Sequence, residues 1–227
     1  MSPKVLIIED DAAIRRLLQL CLARGEYAAV AAENARAGLA ALAIDKPEAV
    51  LLDLGLPDRD GLELVPLVKA AGCALLVISA RDETAQKVAA LDLGADDYIT
   101  KPFDGDEVLA RLRTALRHRL AGHMAGGPAL VKLGQVEVDL AARRVLRAGA
   151  EVHLSPKEYG VLAELARHPG RVITHAQLLR AVWGPGHEQD VEYLRVAARG
   201  IRRKLEDEPA APTLLRNEPG VGYRLMG

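Results

Sequence analysis

The sequence predicts two domains: a doubly wound α/β domain with five parallel strands, then a smaller α+β domain. Over residues 1–120, short and continuous apolar runs alternate five times with helical stretches, as expected of parallel strands that helices cover on both faces. From residue 129 the segments become short and alternate apolar with polar residues, which indicates an antiparallel sheet. At 227 residues the chain is long enough for two hydrophobic cores.

The first domain, residues 1–120, is predicted to have a flavodoxin-like fold. Its predicted strands are residues 5–8, 28–31, 50–52, 75–78 and 97–99, and its predicted helices are residues 12–24, 34–44, 61–71, 82–93 and 105–120. Because a helix connects each strand to the next, consecutive strands must run parallel. Residues 121–128 are rich in Gly and Ala, lack periodicity and are predicted to form a flexible linker.

The second domain, residues 129–227, is predicted to be a winged helix. Its first four strands are expected at residues 131–133, 136–139, 144–147 and 152–154. Ser155 and Glu158 form a capping box that begins a helix to about residue 166. Thr174 and Gln177 repeat this motif for a helix that ends near residue 183. A third helix over 191–206 and a Gly-rich hairpin over 214–225 complete the domain.

Composition excludes secreted and membrane-spanning proteins. The apolar run at residues 5–8 is too short for a signal peptide, and no stretch reaches the roughly 18 apolar residues of a membrane span. Cys21 and Cys73 lie in apolar surroundings without a partner pattern, and the histidines show no metal-ligand spacing. We therefore expect buried free thiols in a cytoplasmic protein that has no membrane partner.

Charge is distributed unevenly between the two halves of the chain. Residues 1–120 carry 15 Lys and Arg against 19 Asp and Glu, whereas residues 128–227 carry 15 against 12. The difference favours an acidic regulatory half and a basic half that is suited to a polyanion.

Polar residues follow four of the five predicted parallel strands. Glu9 and Asp10 follow the first strand, Asp53 the third and Ser79 the fourth, and Lys101 lies just beyond the fifth. The carboxyl ends of such strands meet at one edge of the sheet, where ligands bind. Clustered carboxylates repel each other unless a cation lies among them, and Mg²⁺ prefers such oxygen ligands. Lys101 and Ser79 can bind phosphoryl oxygens, so the set predicts phosphoryl transfer to the central carboxylate, Asp53.

These residues resemble the receiver domains of two-component response regulators, over all of roughly residues 1–120. The matching segments, in the family's order and spacing, are VLIIEDD, VLLDLGLPDRDG, VISAR and GADDYITKPF. The resemblance implies that a sensor histidine kinase phosphorylates Asp53, that Lys101 contacts the phosphoryl group and that the Lys101–Pro102 peptide bond is cis. It also implies a Mg²⁺ site and a conformational switch. The implied ligands are Asp10, Asp53 and the Gly55 carbonyl, with Glu9 acting through water, and the implied switch residues are Ser79 and Tyr98.

The helix predicted at residues 191–206 has an apolar face and a basic face. At about 100° per residue, the apolar face consists of Leu194, Ala197, Ala198, Ile201 and Leu205. The opposite face carries Glu192, Val196, Arg199 and Arg203, flanked by Arg195 and Arg202. A solvated surface is the ordinary explanation for such a face. Because capped helices precede it and a hairpin follows, we expect this helix to lie in the major groove of DNA.

Residues 129–227 resemble the effector domain of the OmpR/PhoB subfamily. The matching segments are LSPKEYGVLAEL, GRVITHAQLLRAVWG, VEYLRVAARGIRRKLE and PGVGYRL. The resemblance implies a transcription regulator that binds double-stranded DNA, with RNA polymerase as a further candidate partner. The implied DNA contacts are Arg195, Arg199, Arg202, Arg203 and Arg216. Pro219 stands where many members have a basic residue, so we expect the minor-groove contact either to be weaker or to be made by Arg216. The phrases LDLGLPDRDG and EYLRVAARGIRRKLED are similar to regulators of high-affinity potassium uptake.

The resemblance further implies that phosphorylated receivers form a homodimer. Lys87 would pair with Glu107, and Asp97 with Arg111, across a twofold axis, so that each contact occurs twice. The alternative is that these charges pair within one chain, where exposed pairs contribute little to stability.

Two other functions fit parts of the pattern. An enzyme with an aspartyl-phosphate intermediate would need a second acid beside Asp53, whereas Leu54, Gly55, Leu56 and Pro57 follow it. A receiver-like module that has lost phosphorylation would not need the intact set of Asp10, Asp53, Ser79 and Lys101. We therefore expect a regulator that assists its own phosphorylation and dephosphorylation but is not an enzyme with a separate substrate.

Overall fold

The computed structural model describes residues 2–80, 84–123 and 130–226, and the chain divides into two compact units. Unit 1 comprises Met1–Leu120 and unit 2 comprises Ala121–Gly227. Each unit has its own hydrophobic core, and we describe the two separately.

Unit 1 contains one parallel sheet of five strands. The strands are β1 (Lys4–Ile8), β2 (Ala28–Ala32), β3 (Ala49–Leu52), β4 (Ala74–Ser79) and β5 (Asp97–Thr100). They lie in the order β2-β1-β3-β4-β5, and all neighbours are parallel, which is the predicted flavodoxin-like topology. β3 and β4 are buried along their whole length, because helices cover both faces of the sheet. The fold prediction for this unit is confirmed.

Five helices connect and follow these strands. They are α1 (Ala12–Arg24), α2 (Ala35–Asp45), α3 (Leu64–Ala70), α4 (Thr84–Asp92) and α5 (Gly105–His123). α1 begins where the Asp11 carboxylate accepts hydrogen bonds from the backbone N–H groups of Ala13 and Ile14. The helix predicted at 61–71 instead starts as a 3₁₀ turn, Gly61–Glu63. Pro66 has no N–H to donate to the carbonyl of Leu62, so regular α-helical bonding starts later.

The boundary between helix α5 and the expected linker differs from the prediction. α5 ends at His123, so it includes three residues of the segment 121–128 that was expected to be a linker. Extending an existing helix costs less than nucleating one, and no proline lies between Gly105 and Pro128. Residues 124–128, like residues 82 and 83 of the predicted fourth helix, lie outside the described part of the chain.

Unit 2 combines two antiparallel sheets with three helices. Its elements are β6 (Leu130–Leu133), β7 (Val136–Asp139), β8 (Arg144–Arg147), β9 (Ala150–Glu151), α6 (Pro156–Ala166), β10 (Val172–Thr174), α7 (His175–Trp183), α8 (Val191–Leu205), β11 (Leu215–Glu218) and β12 (Gly222–Leu225). The first four strands form one sheet, and β10, β12 and β11 form the other in that order. The helices, the terminal hairpin and its sheet make the predicted winged helix.

Two strands of unit 2 were predicted wrongly or missed. The strand predicted at 152–154 is β9, two residues earlier, because Ala148 and Gly149 form a tight turn with positive φ angles of 49° and 81°. Such a two-residue turn pairs Arg147 directly with Ala150. β10 was not predicted, since its three residues are too few to show a period and the last of them, Thr174, is the N-cap of α7.

The capping boxes predicted for α6 and α7 are both present. Glu158 closes the first box by accepting a hydrogen bond from the Ser155 backbone N–H at 2.7 Å. The same carboxylate receives the Lys204 ammonium from α8, also at 2.7 Å. A Cβ atom at Gly200 would lie 2.0 Å from a Glu158 carboxylate oxygen, so a larger residue there would force the Glu158 side chain to shift. The Lys204 ammonium and the Ser155 backbone N–H outweigh the effect of burial and hold the pKa of Glu158 below its ordinary value.

Cys21 and Cys73 are buried free thiols, as predicted. Within the described part of the chain, no helix is both long and apolar enough to cross a membrane.

Candidate functional site

The carboxyl edge of the parallel sheet brings the predicted phosphoacceptor residues together. Glu9 follows β1, Asp53 follows β3, Ser79 ends β4 and Lys101 follows β5. The Lys101 Nζ atom lies 2.7 Å from Glu9 Oε2 and 2.7 Å from Asp53 Oδ2. One ammonium group therefore bridges the ends of three strands of the sheet. The Lys101–Pro102 peptide bond is cis, as the resemblance implied.

Three of the polar side chains in the pocket are buried, and one carboxylate is exposed to solvent. Glu9, Asp53 and Ser79 are 1%, 7% and 1% exposed, whereas Asp10 is exposed. Burial opposes ionisation of Asp53, but hydrogen bonds from Lys101, the Gly55 N–H and Ser79 outweigh it and hold the pKa of Asp53 below its ordinary value. The central carboxylate is thus kept charged and oriented.

Lys101 and Glu9 have raised pKa values for different reasons. Burial lowers the pKa of Lys101, but the hydrogen bonds and charges of Asp53 and Glu9 outweigh this effect and raise it. Burial raises the pKa of Glu9, and the neighbouring Asp53 charge adds to this effect. Lys101 therefore remains a cation, and Glu9 is the carboxylate whose protonation the pocket favours.

A metal ion fits the acidic part of this pocket. Carboxylate oxygens of Glu9, Asp10 and Asp53 all lie within 4.8 Å of one another. The adjacent Asp11 is committed to capping α1, which leaves Asp10 as the exposed carboxylate of the loop after β1. An all-oxygen donor set of this kind suits a hard divalent cation. Gly55 donates its N–H to Asp53 Oδ1 at 3.2 Å and so orients the carboxylate.

Two residues that shape the pocket were not predicted from the sequence. Arg15 Nη1 donates to the backbone carbonyls of Glu9 at 2.7 Å and Asp10 at 3.0 Å, and so holds the acidic loop. Gly61 lies beneath Asp53, where an added Cβ would come within 2.5 Å of the Asp53 carbonyl oxygen. The sequence carried only a weak signal for either residue, since both contact the backbone and not the functional side chains.

The residues implied for the switch and the dimer lie in β5, α4 and α5. Tyr98 is buried in β5, with the Lys87 ammonium 5.8 Å from the centre of its ring. Arg111 contacts Asp97 Oδ2 at 2.7 Å and Glu107 Oε1 at 2.6 Å. In a single chain Arg111 therefore pairs with Asp97 and Glu107 of the same chain, which was the alternative to pairing across a dimer. Pairing across a dimer would require them to exchange partners.

In unit 2, helix α8 has the two faces that the sequence predicted. Leu194, Ala197, Ala198, Ile201 and Leu205 are all at most 5% exposed. Arg199 and Arg203 are exposed, together with Val196 at 71%. The helix register is therefore confirmed.

The five implied DNA-binding arginines fall into two groups. Among the described residues, the guanidinium groups of Arg199, Arg203 and Arg216 make no ion pair or hydrogen bond. Arg195 forms an ion pair with Glu192 in the same helix. Arg202 is half-buried and donates two hydrogen bonds to the Leu215 carbonyl. Three cations are thus left unneutralised on this surface.

A cavity of about 620 Å³ lies between α8 and the β11–β12 hairpin. Its lining includes His175, Arg195, Arg199, Arg202, Asn217 and Tyr223. The His175 and Tyr223 rings meet edge to face, with centroids 5.7 Å apart. His175 was not singled out from the sequence, because a lone histidine after a helix cap carries no pattern. The cavity is a concave cationic surface of the kind that attracts phosphate groups.

Comparison with known proteins assigns both units to families. Residues 5–113 match the response regulator receiver domain, and residues 149–225 match the family described as transcriptional regulatory protein, C terminal. The chain is 47% identical over 223 residues to the KDP operon transcriptional regulatory protein KdpE of Escherichia coli K12, covering 98% of each chain. It is 43% identical over 221 residues to the transcriptional regulatory protein KdpE of Mycobacterium tuberculosis, covering 97% of each.

A solved structure leads to the same family. The response regulator DrrB, a Thermotoga maritima OmpR/PhoB homolog, matches over 100% of both chains with 26% sequence identity and a TM-score of 0.51. The two family matches place the receiver domain first and the DNA-binding domain second, and the relatives and this structure match over nearly the whole chain. The chain therefore belongs to the two-component response regulators of the OmpR/PhoB subfamily and is similar to KdpE.

Proposed function

We propose that the chain is a phosphorylation-dependent transcription regulator. A sensor histidine kinase would phosphorylate Asp53, the receivers would then dimerise, and the winged helix would bind operator DNA. The single observation that carries the proposal is the Asp53 carboxylate, held in its charged form by Lys101 at 2.7 Å at the edge of a parallel sheet.

The chemistry that this arrangement supports is in-line transfer of a phosphoryl group. One Asp53 oxygen attacks the phosphorus of a kinase phosphohistidine, an O–P bond forms, and the P–N bond breaks with its electron pair on the imidazole. The Lys101 ammonium contacts the Asp53 carboxylate before transfer and is placed to neutralise a phosphoryl oxygen after it. Ser79 supplies a hydroxyl donor, and we assign it, with Tyr98, to the switch that senses phosphorylation.

The proposed cofactor is Mg²⁺. Asp10, Asp53 and the Gly55 carbonyl would hold it, with Glu9 acting through water. When bound, the ion would neutralise charge on the phosphoryl oxygens. The supporting observation is the cluster of carboxylate oxygens within 4.8 Å of one another. The chain's own residues bind the phosphoryl group and exclude water from the buried side of Asp53.

The proposed DNA contacts lie on α8 and the hairpin. Arg199 and Arg203 are four residues apart, so they project from the same helix face and both can enter the major groove. Arg195 and Arg216 are assigned to the phosphate backbone. Arg216 is exposed in β11 and would replace the basic residue that is absent at Pro219. The supporting observation is that Arg199, Arg203 and Arg216 have no carboxylate partner among the described residues.

The assembly and the biological role follow from the resemblance. We assign the dimer interface to Lys87, Asp97, Glu107 and Arg111, which would exchange their partners across a twofold axis. The likeness to KdpE supports a role in the control of potassium-uptake genes. We propose that the chain acts in the cytoplasm and together with RNA polymerase. We further propose that the chain assists its own phosphorylation and dephosphorylation and acts on no separate substrate.

The test is incubation of the full chain with acetyl phosphate and Mg²⁺, followed by intact mass measurement. We expect one phosphoryl group that persists for minutes or longer, and none on Asp53→Asn, which is nearly isosteric but a poor nucleophile. Rapid turnover without accumulation would indicate a phosphatase, and an unlabelled wild type would indicate a degenerate module. A phosphoryl group on Asp53→Asn would contradict the assignment of Asp53.

A further inference from the structure

One side chain of α8 and the side chain of its C-terminal cap residue hold both backbone groups of one residue in the hairpin. The Arg202 guanidinium donates to the Leu215 carbonyl, from Nε at 3.1 Å and from Nη2 at 2.9 Å. The Glu206 carboxylate accepts a hydrogen bond from the Leu215 N–H at 2.8 Å. Arg202 lies in the last turn of α8 and Glu206 caps the helix, so both side chains lie at the helix end that meets β11. We call this arrangement the Leu215 clamp.

Glu206 also holds the chain that leads into the hairpin. Its carboxylate accepts hydrogen bonds from the N–H groups of Thr213 and Leu214, both at 3.0 Å, and from the Thr213 hydroxyl at 3.3 Å. Glu206 is only 5% exposed, and Leu215 is completely buried. A buried carboxylate with several donors is costly to disturb, because each N–H would lose its partner away from water. The clamp therefore fixes where β11 begins relative to α8.

The clamp also explains why Arg202 differs from its neighbours on α8. Arg203 is exposed and unpaired among the described residues, whereas Arg202 is half-buried. The Arg202 guanidinium lies 5.9 Å from the centre of the Tyr223 ring in β12, so it contacts both strands of the hairpin. Moving this group onto a DNA phosphate would leave the carbonyl of buried Leu215 without its donor.

We propose that Arg202 and Glu206 are positioning residues that fix the β11–β12 hairpin against the recognition helix and thereby set the affinity for DNA. Arg202 then acts through the hairpin, not as the DNA-backbone contact that the sequence suggested. The proposal rests on the proposed DNA-binding function. Its physical basis is preorganisation: a hairpin that is already fixed loses less conformational freedom on binding. Arg216, adjacent to the clamped residue, is the side chain that such fixing would present to DNA.

The first test uses the sign of an electrostatic effect. Removing a negative charge from a DNA-binding domain should strengthen binding in general. The clamp predicts the opposite for Glu206→Ala, which should weaken binding to an operator duplex by about tenfold. The matched control is Glu208→Ala, because Glu208 is an exposed acid two residues away. We expect this control to bind as tightly as wild type or more tightly.

The second test measures hydrogen exchange of the free full-length protein. Arg202→Gln and Glu206→Ala should each raise exchange of the amides over residues 213–225, while Arg203→Gln should not. If Glu206→Ala fails to fold, Glu206→Gln keeps one acceptor oxygen and an unchanged shape, and the same rise is expected. Arg202→Gln should also weaken binding to the operator duplex, which is selected from a random library with wild-type protein.

Three results would decide against the clamp. Weaker DNA binding by Arg202→Gln with unchanged hairpin exchange would make Arg202 a direct phosphate contact. Tighter binding by Glu206→Ala would show that hairpin position does not set affinity. Unchanged exchange in Glu206→Gln and Glu206→Ala would show that Glu206 does not hold the hairpin. Failure of wild type to bind any selected duplex would instead contradict the proposed function.

Discussion

The proposed phosphoacceptor pocket and the proposed DNA-binding face of α8 use positive charge in opposite ways. In the pocket, Lys101 is placed between two carboxylates at 2.7 Å and is largely buried. On α8, Arg199 and Arg203 are exposed and have no carboxylate partner among the described residues. A small ligand is best received by groups that are already neutralised and oriented, whereas a polyanion is best attracted by charges that have no partner.

The same difference predicts how each region responds to salt. Exposed charges are screened within about 10 Å at 0.1 M ionic strength, whereas buried pairs are screened much less. Phosphorylation of Asp53 should therefore depend weakly on salt, and DNA binding should depend on it strongly. The predictions below test this contrast from the largest expected effect to the smallest.

The largest effect is expected on metal binding in the pocket. Asp10→Ala removes one of the two proposed direct carboxylate ligands and should weaken Mg²⁺ binding by at least about tenfold. Glu33→Ala is the control, since Glu33 is an exposed acid that follows β2 outside the carboxylate cluster. Calorimetric titration with Mg²⁺ measures both affinities. Equal affinities of Asp10→Ala and wild type would place the ion elsewhere.

The next effect concerns the unpaired arginines of α8. An arginine that forks onto a guanine contributes about 1–3 kcal/mol of discrimination between sequences. We expect at least one of Arg199 and Arg203 to read a base, and favour Arg199 because recognition helices read from their N-terminal half. Operator and random duplexes are titrated with Arg199→Ala and Arg203→Ala at several salt concentrations, with Arg195→Ala as the phosphate-contact control. Equal weakening on both duplexes by both variants would mean that this face does not read sequence.

A smaller effect is expected at the receiver surface, where Arg111 is paired with Asp97 and Glu107 within the chain. Arg111→Glu should reduce phosphorylation-dependent dimerisation, because it places like charges opposite Asp97 across the proposed twofold axis. Combining Arg111→Glu with Asp97→Arg should restore the dimer. Sedimentation of phosphorylated protein measures the association. A dimer that is indifferent to both changes would use another surface.

The smallest expected effect is a pH dependence of stability caused by His175, which lines the cavity beside α8. Burial, and then the charge of Arg195, lower the pKa of His175 from its model-compound value of 6.5. The unfolded chain therefore binds this proton more readily than the folded chain does. Above pH 6.5 neutral His175 adds no penalty, and as the pH falls below 6.5 the free energy of unfolding decreases. We expect His175→Gln to reduce the fall in the urea midpoint between about pH 7.5 and 5.5. Parallel curves for the two proteins would remove His175 from this dependence.

Sequence reasoning was sufficient for the pocket because strand ends impose its geometry. Once β1, β3, β4 and β5 are placed, their carboxyl ends must meet, so the side chains of Asp53 and Lys101 are brought together by topology. Arg15 and Gly61 were missed because they act on backbone atoms, which leave no pattern of side-chain types. The backbone groups that they contact follow strand ends, in loops whose conformation the period of the strands does not determine.

The DNA-facing surface was predictable only as a helix face. The helical period placed Arg199 and Arg203 opposite the apolar stripe, and burial confirms it. It also placed Arg202 at the flank of this face, but the period cannot show that Leu215, thirteen residues later, offers a carbonyl there. The shift of β9 has a similar origin. Pairing of β9 with β8 requires a tight turn with a positive φ at Ala148, and the residue type does not indicate this turn.

Glu158 shows how local and distant order are joined in unit 2. Its carboxylate closes the N-terminal capping box of α6 and binds Lys204 near the end of α8. If either the capping box of α6 or its contact with α8 is lost, the Glu158 carboxylate loses one of its hydrogen-bond donors. The loss of one contact therefore destabilises the other. The first helix of unit 2 and the helix proposed to bind DNA are therefore expected to melt in a single cooperative transition.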